Sequence, residues 1–193
     1  MKSFTSAIAL FAAAASVAAA PTAYTGSSFT NANLGNDLND LLPKGVFKLE
    51  PGAQPGLYTH HVALDGTIHT QYHGEMNATA PTTGTAPAAS KRGGTGVQCS
   101  NLVFSASDAT AAAEGLAASF NSQPQFYHAI SYTSGTATAY GCDYGNGQRM
   151  SGVEYMGYFN DVGFDCGSTK EGWYALPDAK ASYGVTTAGN GFC

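Results

Sequence analysis

Charge is scarce in this sequence of 193 residues, which carries eight Lys or Arg against thirteen Asp or Glu, a net of −5. The shortage of positive charge is sharpest after position 92, where Arg149, Lys170 and Lys180 stand against eight acidic residues. A nucleic-acid backbone or an anionic membrane needs a concentrated basic surface, so neither is the expected partner. Cysteine is missing from the first 98 residues, and no CxxC or zinc-type His spacing occurs, which removes the common zinc patterns. Beyond residue 20 no stretch approaches the roughly 20 consecutive apolar residues of a spanning helix, so no membrane anchor is expected. Histidine is also thin: His128 alone lies beyond position 73, which leaves little for acid–base catalysis at neutral pH. No cofactor or metal is expected.

What the chain does have begins with a basic Lys2, an apolar run from Ala7 to Ala19, and small residues through Ala20 before Pro21. That is the pattern of a secretory signal peptide over 1–20, cut after Ala20, and it makes the product extracellular. An exported chain with four cysteines, Cys99, Cys142, Cys166 and Cys193, oxidises them into two disulfides. Four cysteines allow three pairings.

Residues 21–92 read as a leader. Up to position 56 they are polar, with scattered Gly and Pro and one short apolar patch at Leu41, Leu42, Val46 and Phe47, so they are expected to be mostly unstructured. From 57 to 73, Asp65-Gly66 is a type I′ turn signal between alternating runs, which predicts a hairpin. Pairing Leu64 with Thr67 puts His60, His69 and His73 on one face with Tyr58 and Val62, a group suited to a pH switch, a metal or plain solvation. Residues 77–90 are almost all Ala, Thr, Pro, Gly and Ser, a linker that cannot bury a core. It opens with a glycosylation sequon at Asn77 and leads to Lys91-Arg92, a site for a dibasic-specific processing protease. The mature part is then 93–193.

Within 93–193, Val97 to Phe104 reads as a strand. Ser105 and Asp108 start an Ala-rich helix whose Ala109, Ala112, Leu116 and Phe120 share a face. Runs from Phe126 to Tyr132 and from Thr136 to Cys142 alternate around a loop at Thr133-Ser134-Gly135. Ser151 and Glu154 form a capping box for a second helix ending at Gly163, with Val153, Met156, Phe159 and Phe164 or Val162 facing inward. Trp173 to Leu176 and Ser182 to Thr187 supply two more strands. The economical packing is α+β, a two-layer α/β sandwich in which an antiparallel sheet of about five strands carries both helices on one face.

Gly96-Val97-Gln98-Cys99, Tyr140-Gly141-Cys142, Cys166-Gly167-Ser168 and Gly184-Val185-Thr186 with Cys193 occur in the order found in the smut-virus killer toxins. Residues 96–193 resemble that family of small secreted antifungal proteins. They are also similar, around Tyr140-Gly141-Cys142, to the necrosis-inducing extracellular effectors of plant-pathogenic fungi. The first resemblance implies a two-helix sandwich and the pairings Cys99 with Cys166 and Cys142 with Cys193. Where that family carries basic residues tied to channel block, this chain has Thr138, Ala139 and Tyr140, so channel block is not expected.

The function expected is that of a secreted effector or killer-toxin-like protein, not an enzyme, binding a protein or cell-surface target on another cell after maturation. The aromatic group Tyr140, Tyr144, Tyr155, Tyr158, Trp173 and Tyr174 supplies candidate contacts, since Tyr and Trp carry much hot-spot energy, with about half of it expected in the core. One rival is a ribonuclease-like hydrolase with His128, Arg149 and Glu154 as base, phosphate clamp and acid. Paired carboxylates among Asp143, Asp161, Asp165 and Glu171 would suit sugar hydrolysis, or simply solvation. A wall-associated adhesive protein, with the linker as its functional part, is the third reading.

Overall fold

The computed structural model describes residues 47–76, 96–145 and 147–193. Strands β1 (Phe47–Lys48), β2 (Gly56–Val62) and β3 (Ile68–Gly74) come first. β4 (Gly96–Val103) leads into helix α1 (Ala106–Ser122) and a short β5 (Gln125–Phe126). The hairpin β6 (Ala129–Ser134) and β7 (Ala137–Asp143) follows, then β8 (Gln148–Arg149) and helix α2 (Gly152–Cys166). β9 (Lys170–Leu176), β10 (Ala181–Thr187) and β11 (Gly191–Phe192) complete the chain.

The fold is α+β, and its main sheet has seven strands in the order β3-β2-β6-β7-β10-β9-β4, every neighbouring pair antiparallel. Sequence reading gives about five. The two extra strands are the hairpin β2–β3, which does not stand apart from the cysteine-bearing part but pairs with β6, Gly56 opposite Thr133 through His60 opposite Ala129. A lone hairpin is marginal in water, whereas one docked on an existing edge gains a ladder and a buried face. Residues 47–56 are likewise drawn in: β1 pairs with β11, Phe47 opposite Phe192, and Phe47 and Leu49 are buried.

Both helices cover one face of the sheet. α1 is capped by Ser105, whose hydroxyl accepts from the Asp108 amide, and it buries Ala109, Ala112, Ala113, Leu116, Ala117 and Phe120. Its small residues let it lie close to the strands. At Gly115 a Cβ would fall 2.5 Å from the Tyr132 ring, so only glycine fits under that side chain. α2 is capped by Ser151, which accepts from the Glu154 amide at 3.2 Å. The helix runs past Gly163 to Cys166: Tyr155 and Val162 are buried, Met156 and Phe159 pack half-buried against the core, Val153 is half-buried, and Phe164 is 90% exposed. Replacing Ser151 by Ala is expected to lower unfolding stability by about 1 kcal/mol, read from the denaturant midpoint.

The opposite face is covered by the thin ribbon β1–β11. Beneath it lies a cluster of Phe47, Ile68, Ala129, Tyr140, Cys142 and Phe192. Between these sit buried polar residues, His60, Ser131, Thr133, Thr138 and Thr186, that bond to one another, to nearby backbone or, for Thr186, to the Asn190 side-chain amide. Burying polar groups is tolerable only when they are satisfied in this way.

The disulfides join Cys99 to Cys166 and Cys142 to Cys193. The first ties β4 to the end of α2, on the helix side of the sheet. The second ties β7 to the end of the ribbon on the other side. Neither involves residues 47–76. The signal segment with Ala20, the patch at Leu41, Leu42 and Val46, the sequon at Asn77, the linker and Lys91-Arg92 all lie outside the described residues.

Candidate functional site

A cleft of about 600 Å³ opens where the β2–β3 hairpin meets the C-terminal end of α1. The hairpin contributes Leu57, Thr59, His61, His73 and Met76, and the later chain contributes Ser119, Gln123, Gln125, Phe126, Tyr127, Ile130 and Arg149. Leu57, Phe126 and Ile130 make an apolar floor, and all three are buried. Around the rim stand His61, His73 and Arg149, exposed, and Tyr127, 47% exposed. Among the described residues no carboxylate lines it. On a chain with a net charge of −5, this leaves a local patch with one fixed positive charge and two imidazoles.

The rim is held by short polar contacts. His73 Nε2 meets Thr59 Oγ1 at 2.8 Å across the hairpin, and Gln125 Nε2 donates to Tyr127 Oη at 2.8 Å. Arg149 sits on β8, which pairs with β5 and so brings the guanidinium beside the turn after α1. A guanidinium with neighbouring imidazoles and a phenol can bind a carboxylate, a phosphate or a hydroxyl-rich group.

The histidine grouping differs by one register step from the sequence expectation. Ala63 N donates to Thr67 O and Gly66 N to Ala63 O, so the loop is Leu64-Asp65-Gly66, three residues long, with Gly66 at φ +82°. Such a loop is a type I turn closed by a left-handed glycine, not the two-residue type I′ turn that Asp-Gly suggests. Val62 therefore faces Ile68, His60 faces Thr70 and His61 faces His69. A one-residue slip exchanges the faces of a strand. His61, not His60, shares a face with His69 and His73, and no group of three or more metal-ligating side chains forms among the described residues.

His60 turns to the ribbon side instead and is wholly buried. Its Nδ1 meets Thr70 Oγ1 at 3.0 Å and its Nε2 meets Ser131 Oγ at 2.8 Å. Phe47 and Phe192 pack against its ring at 5.5 and 5.3 Å. Burial, and secondarily neighbouring His61, push its pKa down to about 3, so the ring is neutral. His128 reaches across the same boundary: Val62 N donates to its Nδ1 at 3.1 Å, and its ring lies edge-on to His61 at 5.5 Å. Burial and His61 lower its pKa while Asp143 opposes them. Its backbone sits at φ +61°, an uncommon conformation outside glycine that the two strands around it enforce.

Other sequence-derived candidates fall elsewhere. Tyr140 and Tyr174 are buried, and burial followed by the Glu171 carboxylate keeps the Tyr140 phenol well above its ordinary range. Tyr155 is core too, and Tyr158 stacks on Tyr183 at 5.5 Å. Tyr144 and Trp173 are half-buried and pack beside the Tyr140 cluster. This aromatic group is chiefly packing. Of His128, Arg149 and Glu154, only Arg149 lines the cleft; His128 holds Val62, and Glu154 accepts from Tyr158 on α2. Asp143 accepts from Gly145 N, Gly147 N and Gln148 Nε2, shaping the turn into β8. Glu171 accepts from Ser100 and Asn190. Asp161 and Asp165 lie on α2. Sequence reading misses Thr59, His61 and Tyr127, because Thr59 and His61 reach the cleft only through the long-range pairing of β2 with β6, and Tyr127 comes beside Arg149 only through the pairing of β5 with β8.

Comparison of the chain with protein-family models, with curated proteins and with solved structures finds no match.

Proposed function

We propose that this chain is a secreted effector or killer-toxin-like protein of the fungal kind, which after proteolytic maturation binds an anionic or hydroxyl-rich group on a protein or cell-surface target of another cell. The cleft that gathers His61, His73, Tyr127 and Arg149, with no carboxylate among its described lining residues, supports this reading. Rigid aromatic and guanidinium groups over an apolar floor are the usual anchors of recognition. Two disulfides fit a protein made for an oxidising compartment, and no helix among the described residues is long and apolar enough to cross a membrane.

Purified protein is expected to inhibit a competing fungus or cause leaf necrosis, and Arg149→Ala to weaken that dose response about 10-fold, the cost of one hydrogen bond to a charged group. Equal potency of the variant removes the cleft from the reading. The pair of imidazoles also gives the hydrolase alternative a specific footing. Cleavage of RNA by the native protein, abolished in His61→Ala or His73→Ala, would replace binding by catalysis.

A further inference from the structure

The two segments on either side of Lys91-Arg92 share one sheet, and no covalent bridge joins them. We infer that cutting at this dibasic site does not release the leader: residues 47–76 stay in the sheet as a second, non-covalent chain and supply one wall of the binding cleft. The inference rests on the proteolytic maturation proposed above. The protease hydrolyses the Arg92–Gly93 amide, consuming one water and leaving a carboxylate on Arg92 and an amine on Gly93.

Four contacts hold the segment. β2 lies between β3 and β6 and not at the sheet's edge, so its removal would strip the ladder from one whole side of β6. That strand is buried along nearly all its length and carries no charge or proline to blunt a bare edge. On the helix face Leu57 enters the core with Leu116 and Tyr132. On the other face Phe47 pairs with Phe192 while His60 bonds Ser131, so the segment also roofs Tyr140 and Cys142. Met76 N donates to Tyr132 Oη at 3.4 Å, fixing the far end. An extended segment bound by main-chain pairing plus side-chain pockets is a recurrent mode of stable recognition, here made within one precursor.

The cleft shows what retention achieves. Thr59, His61, His73 and Met76 come from before the cut, Tyr127 and Arg149 from after it. A product lacking 47–76 would have neither the imidazoles nor the wall formed by Leu57, Thr59 and Met76.

The test cuts the purified precursor with a dibasic-specific protease, verifies cleavage by denaturing mass spectrometry, and then examines the product at pH 7.5 by gel filtration and native mass spectrometry. The expected result is a single species, one water heavier than the uncut chain, whose β6 amides facing β2 exchange with solvent as slowly as before the cut. Separation into two species, or fast exchange along β6, overturns the inference. An uncut junction in protein collected from the secreting cell would refute the maturation reading alone, since cleavage in vitro still decides retention.

Discussion

Replacing His60 by Gln is expected to remove about 1.4 kcal/mol per pH unit from the dependence of stability on pH between 6.5 and 4. The wild-type imidazole is neutral when folded, with a pKa of about 3, against the model value of 6.5 that stands for the unfolded chain. Above pH 6.5 neither state binds the proton and the stability is whole. Between the two values the unfolded chain takes up a proton that the folded one refuses, so stability falls as the solution acidifies. The total over the window is roughly 4–5 kcal/mol, a large part of the 5–15 kcal/mol typical of a domain. The groups packed on the ring, Thr70, Ser131, Phe47 and Phe192, carry no charge, and neighbouring His61 lowers the pKa further. Gln keeps a donor and an acceptor for Thr70 and Ser131, so the comparison isolates titration. His128, also held below its ordinary value, leaves a residual slope of the same sign. Urea midpoints measured at half-unit steps for both proteins give the answer; parallel curves would mean that His60 does not govern acid sensitivity.

The double substitution Cys142→Ala, Cys193→Ala is expected to cost about 4 kcal/mol. The bridge closes a loop of sequence separation 51, and restricting the unfolded chain over such a loop accounts for that figure. The Cys99–Cys166 bridge spans 67 residues and has a nearly equal entropic weight. The two differ in what they cover. Losing Cys142–Cys193 frees β11, and with it Phe192, which stacks on Tyr140 at 5.0 Å and touches His60. Denaturant unfolding should therefore show similar losses for the two pairs of substitutions, while only the Cys142–Cys193 variant exposes Tyr140 to solvent and shifts its near-ultraviolet signal. Equal exposure in both variants would show that the ribbon is not anchored by its bridge.

Local chemistry made the helices readable. Ser105 and Ser151 are side-chain oxygens placed one residue before a helical run, and both cap as their positions require. The face of α1 could be read from the 3.6-residue spacing of Ala109, Ala112, Leu116 and Phe120, all buried. Sequence hides what depends on partners distant along the chain. The hairpin 56–74 carries its own turn and alternation, yet nothing in it names β6 as a neighbour. The choice of turn then moved the register, because Asp65-Gly66 serves a two- or a three-residue loop equally well, and the difference decides whether His60 or His61 faces the cleft. Of the two alternatives Phe164 and Val162, the sequence cannot choose while Gly163 reads as the helix end; α2 continues to Cys166, which buries Val162 and leaves Phe164 exposed. The cleft itself was invisible for the same reason as the sheet order: its walls come from segments some 90 positions apart, Thr59 to Arg149.

The two coverings of the sheet are unequal in a way that sets how the molecule breathes. One side carries two helices of 17 and 15 residues, the other a ribbon of two-residue strands. Cooperative opening follows the density of buried contacts, so the ribbon is the first unit to lift, at a free energy well below that of global unfolding. Each such excursion bares Phe47, Phe192 and the sheltered hydroxyls together while the helix-side layer remains closed. The fold thus has a hard side that preserves its identity and a soft side through which protons, proteases or a partner would first gain entry.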